Sequence, residues 1–419
     1  MQKQFKKHKF ILIDIEPQRP NSSLTPEEYL ISRLKSFKTG RYAAVYENKI
    51  RKIFNALEDK LVELLIAVMD ITMAYGIKLK HLMPKADPFI KAVLRFIIPI
   101  CEDLETAMDQ KNTSTFTAIL KKAVNRLEKE KDLAKNLQEK YKCVFVDEVQ
   151  DLQPLTRRLI RLLTGKKQNL FAIGDDYQSI YSFAGSDPLF IVKFEHYFQE
   201  AEVMQLKYNY RCHPNIVEIS NRIIRNNKHQ RFKQVKGKFC SGQSETDKVL
   251  TVVTVSDETQ KVAMADYLLS QIPEKEDVQI LARYNESMPG IEPYAKAITQ
   301  KFQGRKIEFK TIHRSKGLQA DNVVILGCVD NQDGAFCFPA KDNFQRIKDK
   351  ILRLLPDRGN KFNMVEEETR LFYVGVTRAK KKVFVVTVKG QESKFIDKKF
   401  LPRDLICETA MASKINTVA

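Results

Sequence analysis

The feature that most constrains this chain is the run Val144-Phe145-Val146-Asp147-Glu148-Val149-Gln150-Asp151. Three consecutive β-branched or aromatic residues read as a short buried strand, and the run ends on two adjacent carboxylates. In parallel α/β sheets, ligands collect outside the carboxyl ends of strands. There one acid can hold a divalent cation while the next activates a water, as a motor ATPase needs. Four more polar blocks follow in order: Gly174 to Tyr181, Asn209-Tyr210-Arg211, Thr311 to Gly317 and Tyr373 to Ala379. The sequence contains no Gly-x-x-x-x-Gly-Lys-Ser/Thr phosphate loop.

Apolar periodicity divides the chain. Residues 1–45 mix the short apolar run Phe10–Ile13 with a Pro/Asn/Ser-rich stretch, and Thr25-Pro26 reads as a helix start. Residues 46–141 carry apolar positions at three- and four-residue steps, among them Ile50, Leu57, Leu64, Leu120, Val124 and Leu127, which predicts a helical subdomain. Strands are expected at Cys143–Val146, Leu170–Ile173 and Val203–Leu206, with helices at Leu155–Leu163 and Asn215–Arg225. After a polar linker at 231–247, a second set of strands is expected at Val249–Val255, Val278–Ala282, Ile307–Thr311, Val323–Gly327 and Lys382–Val388. Helices near 258–271 and 290–302 separate them. The alternation predicts two α/β units, 142–230 and 248–395, with parallel sheets. Residues 331–365 read as a long surface connection and 396–419 as a tail.

A formal charge of +19 over 419 residues points to a polyanionic partner, because lysines and arginines that neutralise phosphates release counterions. A well-solvated basic surface is the plain alternative. The seven cysteines are scattered with no C-x-x-C pair, which excludes zinc sites built on such pairs and argues against a disulfide framework. The apolar stretches Leu61–Ala67 and Phe89–Cys101 are short of a membrane span, and the basic N-terminus lacks the apolar core of a secretory leader. No membrane partner is expected, and a cytoplasmic, nucleoid-associated location is.

From about Lys142 to Phe395 these blocks resemble the motifs of UvrD/Rep-type superfamily 1 DNA helicases, most closely the helicase IV group. Val146–Asp151 resembles motif II, Ile173–Gly185 motif III, Tyr208–Arg211 motif IV, Phe309–Asp321 motif V and Glu367–Lys380 motif VI. Ile280–Asn285 and Asp333–Pro339 favour the helicase IV group. The resemblance implies two RecA-like lobes of the P-loop NTPase type, the first incomplete, with an inserted helical subdomain. It implies ATP and Mg²⁺ as cofactors and single-stranded and duplex DNA as partners, with 3′ to 5′ polarity. Asp147 would hold Mg²⁺, Glu148 would activate the water, and Gln178 would contact the γ-phosphate. Arg211 and Arg378 would act as arginine fingers, a role for which the planar guanidinium suits better than lysine. Tyr210 would stack on adenine, while Gln319, where relatives often carry Glu, and Gly317 would lie by the nucleotide. Phe183, where many relatives carry Trp, and Tyr181 would stack on DNA bases, and Thr311, His313 and Lys316 would line the DNA path.

Two departures shape the expectation. The missing phosphate loop implies a C-terminal motor portion whose loop lies upstream or on a separate polypeptide. It equally fits a truncated remnant or a free-standing protein that binds DNA without turning over ATP. The short 285–308 interval leaves no room for the large insertion of bigger relatives, which suits the helicase IV group. A metal-dependent nuclease is disfavoured, since the acids do not cluster as two-metal sites require. A first sheet lacking its phosphate-loop strand also predicts an exposed apolar edge near Val144–Val146.

Overall fold

The computed structural model describes residues 58–110, 113–167, 169–257, 259–283, 291–330, 343–355, 364–397, 401 and 406–410. The readings of residues 1–45, of the Thr25 helix start, of Ile50 to Leu57, of Asp333–Pro339 and of most of the 396–419 tail lie outside them.

The described chain opens with helices α1 (Glu58–Ala74), α2 (Pro88–Gln110), α3 (Phe116–Lys129) and α4 (Lys131–Lys140). Thr115 starts α3 by accepting a hydrogen bond from the Ala118 backbone N–H, one of the donors a helix start leaves unpaired. Leu64, Val68 and Ile71 of α1 pack on Ile90, Val93, Leu94 and Ile97 of α2. Each such fully buried aliphatic contributes about 1.5–3 kcal/mol.

Strand β1 (Val144–Val146), α5 (Pro154–Thr164) and β2 (Leu170–Ala172) form one parallel unit, Val144 beside Leu170 and Val146 beside Ala172. Open apolar surface is present here as a face: Phe145 is 74% exposed and lies beside Phe171, their ring centroids 5.6 Å apart. The expected strand at Val203–Leu206 does not form, and Val203, Met204 and Leu206 are exposed. A β-rich run becomes a strand only when a neighbour supplies the ladder, and none among the described residues pairs with it. Pairing starts later, between β3 (Tyr208–Asn209) and β4 (Lys236–Gly237), which flank α6 (Pro214–Ile224). Gly237 is required there, since a Cβ would lie 2.4 Å from the Pro214 Cα.

The second sheet is built from β5 (Leu250–Val255), α7 (Gln260–Gln271), β6 (Val278–Ala282), α8 (Ile291–Lys301), β7 (Ile307–Thr311) and β8 (Ala320–Leu326). Helix α9 (Asn343–Arg353) follows in the chain, and α10 (Met364–Val376), β9 (Ala379–Val388) and β10 (Ile406–Ala410) complete the unit. All six strands are parallel, in the order β10-β5-β9-β8-β6-β7. Central strands buried on both faces explain the near-continuous apolar runs. Val323 and Ile325 face α6 and α10, whereas Val324 and Leu326 face α7. Helix α6, grouped by sequence with residues 142–230, thus packs within the core of the second sheet.

Helix α9 is the second difference, because 331–365 was expected as surface chain. Ile347, Ile351 and Leu352, with Leu355 beyond them, complete the α1–α2 core, and Lys350 pairs with Asp87 at 3.1 Å. The intervening charges masked an amphipathic pattern of the ordinary kind. No helix among the described residues is long and apolar enough to cross a membrane.

Candidate functional site

Asp147 and Glu148 sit where β1 ends, both exposed. Glu148 adopts φ 51°, a left-handed conformation uncommon outside glycine. Its backbone N–H donates to the Asp147 carboxylate at 2.8 Å, and its own carboxylate accepts from the Gln150 amide. Gln150 is fully buried, and its carbonyl oxygen accepts the Asp175 N–H at 3.0 Å. Gly174 permits that approach, since a Cβ there would meet the same oxygen at 2.5 Å. Gln150 therefore ties the end of β1 to the loop after β2. Sequence reasoning passed over it, although a buried amide inside a motif is the kind of group that must find partners.

Asp175 is the hub of the next layer. Lys233 pairs with both Asp175 and Asp176, and its side chain is only 17% exposed. Burial works against the Lys233 ammonium, but the two carboxylates outweigh it and hold its pKa above the usual lysine range. The other Asp175 oxygen accepts from the Gln178 amide at 2.8 Å. The Gln178 side-chain oxygen Oε1 in turn accepts from the Arg378 guanidinium at 3.4 Å. Arg378 is 1% exposed and also donates to the Val374 and Leu318 carbonyls. Burial first, then the neighbouring Arg211, draws its pKa down to about 10, which leaves it cationic at neutral pH. Arg370, also buried, donates to the Ser179 carbonyl at 2.9 Å and fixes α10 to the same loop. Lys233 lay unnoticed in the predicted linker, and Arg370 inside motif VI.

Lys316, expected along the DNA path, lies 5.1 Å from the Tyr181 ring centroid and also reaches the acids. It pairs with Asp151, stands 3.7 Å from Glu148 and donates to the Gln178 carbonyl at 3.0 Å. Burial raises the Asp151 pKa more than Lys316 lowers it, and one Asp151 oxygen is buried with no hydrogen-bond partner. Glu148, Lys316, Gln178 and Arg378 thus form one connected set spanning both sheets.

The remaining residues separate into two places. Tyr181 donates to the His313 carbonyl at 3.2 Å, and the His313 ring meets Phe183 edge-on, centroids 5.0 Å apart. Thr311 is buried just before them, its hydroxyl accepting the Arg314 N–H at 3.3 Å. On the other side, Asn209 accepts the N–H groups of Arg211 and Cys212, forming a turn that throws Tyr210 and Arg211 outward. Tyr210 is 76% exposed, with its ring open to a partner. Gly317, at φ +80°, and Gln319 are exposed in the loop before β8.

The donor set suits Mg²⁺ carried by a phosphate ligand. Among the described residues no group of three or more His, Cys, Asp or Glu gathers to hold a metal alone. Magnesium commonly takes one or two carboxylates and completes its octahedron with phosphate oxygens and water. Asp147, a hard oxygen donor on open surface, can supply the first.

Comparison with known proteins identifies the family. Residues 15–199 match the UvrD/REP helicase N-terminal domain, and residues 204–303 and 294–390 match the UvrD-like helicase C-terminal domain. The chain is 33% identical over 315 residues to DNA helicase IV of Escherichia coli, covering 74% of this chain and 42% of that protein. It is 33% identical over 205 residues to the ATP-dependent DNA helicase UvrD2 of Mycobacterium bovis, covering 48% of this chain and 28% of that protein. Against the ATP-dependent DNA helicase PcrA of Staphylococcus epidermidis it is 26% identical over 227 residues, covering 51% of this chain and 30% of that protein. It therefore spans less than half the length of these relatives. With both domain models matched in order and parallel α/β sheets of the RecA-like kind, the chain belongs to the UvrD/Rep family of DNA helicases.

Proposed function

We propose that this chain is the portion of an ATP-dependent DNA helicase that carries motifs II to VI. It would couple ATP hydrolysis to 3′ to 5′ movement on single-stranded DNA and to duplex unwinding. Residues 46–141 would form a helical subdomain inserted in the first lobe, and 231–247 would join the lobes. Bound Mg²⁺ and ATP would supply the phosphoryl group and its charge neutralisation. Asp147 would ligate the metal, and Glu148 would accept a proton from the attacking water. Gln178, held between Asp175 and Arg378, would orient toward the terminal phosphate. Arg378 and the neighbouring Arg211 would meet charge developing there. Tyr210 would cover the adenine, with Gln319 and Gly317 near the ribose. The observation that carries this reading is the connected set Glu148, Lys316, Gln178 and Arg378, which joins the acids of one sheet to the guanidinium of the other.

The phosphate loop would come from a segment outside this sequence, on the same or a separate polypeptide. The formal charge of +19 supports one second reading, a non-catalytic DNA-binding or regulatory relative. ATPase assays with single-stranded DNA separate them. We expect little turnover from this chain alone, turnover on adding a polypeptide that bears the loop, and its loss in Glu148→Gln. A mixture that binds DNA but never hydrolyses ATP would leave the second reading standing.

A further inference from the structure

Helix α9 brings a cation to the aromatic cluster of motif III. The Lys348 ammonium lies over the Phe183 ring, 5.0 Å from its centroid. His313 meets the same ring edge-on at 5.0 Å, and Tyr181 stands 6.0 Å away. Ile347, Ile351 and Leu352 hold α9 in the helical core, and Lys348 lies at the margin of that same face, so the base of its side chain is held in place. The ammonium itself is on a flexible stem beside a partly buried ring, within reach of whatever ligand approaches that ring. A base stacking on the face that Lys348 covers would displace it. Every nucleotide that brings a base also brings a phosphate, the group a displaced lysine would seek.

We propose that Phe183 and Lys348 form one nucleotide-binding unit for single-stranded nucleic acid, in which the ring takes a base and Lys348 moves from the ring to the adjoining phosphate. Lys348 is the new member, and it comes from a segment that neither motif III nor motif V includes. The unit reads no base edge, so it is indifferent to sequence. This inference rests on the reading of Phe183 as a contact to DNA.

The test uses the full chain and two labelled strands, an oligothymidylate and an abasic oligodeoxynucleotide of equal length, followed by fluorescence anisotropy across salt concentrations. A single strand loses about 0.7 in the slope of log affinity against log salt for each phosphate contact removed. Lys348→Met should therefore flatten the slope by about 0.7 on both strands, and Lys348→Arg should restore it. Raising salt fourfold should then cost the variant about 2.6-fold less affinity than it costs the wild type. Phe183→Ala should weaken the thymidylate and leave the abasic strand unchanged. If the wild type binds with steep salt dependence and Lys348→Met keeps the same slope, Lys348 makes no phosphate contact and the inference is overturned while the DNA reading survives. If the wild type binds neither strand, both are overturned.

Discussion

Lys233→Met tests the buried charge cluster that holds Gln178. The substitution keeps most of the stem volume and removes the cation that pairs with both Asp175 and Asp176. Asp176 is 2% exposed, and its remaining hydrogen bond is to the Arg231 N–H at 2.7 Å. Removing one partner of a buried ion pair costs about 3–5 kcal/mol, because the other charge stays buried. Lys233 and Asp175 keep some contact with solvent, which screens part of that loss, so the lower end, about 3 kcal/mol, is expected. With a urea slope of about 3 kcal/mol per molar, the midpoint should fall by about 1 M. The pH dependence has a definite sign. The raised pKa of Lys233 keeps its contribution complete at neutral pH and lets it fade only as pH climbs through the folded value. The variant's deficit should therefore be full at neutral pH and shrink only at alkaline pH, above the usual lysine range. Lys233→Arg should recover most of the stability. A loss under about 0.5 kcal/mol, or one that ignores pH, would refute the cluster as a structural anchor.

Two other outcomes are expected. Arg378→Ala should abolish DNA-stimulated ATPase activity of the motor reconstituted with its phosphate loop while leaving DNA affinity within about twofold; unchanged turnover removes the finger role. Ile351→Ala should lower stability by about 2–4 kcal/mol in thermal or urea unfolding, since the site is buried within the helical core, and a change near zero would detach α9 from that core.

Much of this fold is readable because long β-branched runs buried on both faces leave little choice: Val278–Ala282 and Ala320–Leu326 announce themselves. Val203–Leu206 misled for the same reason, since an apolar run states a preference for burial and cannot name the strand that will pair with it. Helix α9 was hidden by its charges, although Ile347, Ile351 and Leu352 lie on one helical face. The acids and guanidinium groups of the site stood out by type and order. Their supports did not, because Lys233 looks like any lysine of a polar segment until Asp175 and Asp176 close around it. Lys316 shows a further limit: its motif suggested which machinery it serves, and only the fold says that it faces the carboxylates.

The way α9 completes the helical core has a consequence for synthesis. Lys350 and its partner Asp87 lie 263 residues apart in the chain. At about 5–20 residues per second, the seam between α1 and α2 waits roughly 13–50 s on the ribosome before its last wall is made. During that interval Leu64, Val68 and Ile90 lack the cover that Ile347 and Ile351 later provide. The earliest helices described here are therefore among the last to mature, and nascent chains paused before residue 343 should be natural clients for holding chaperones.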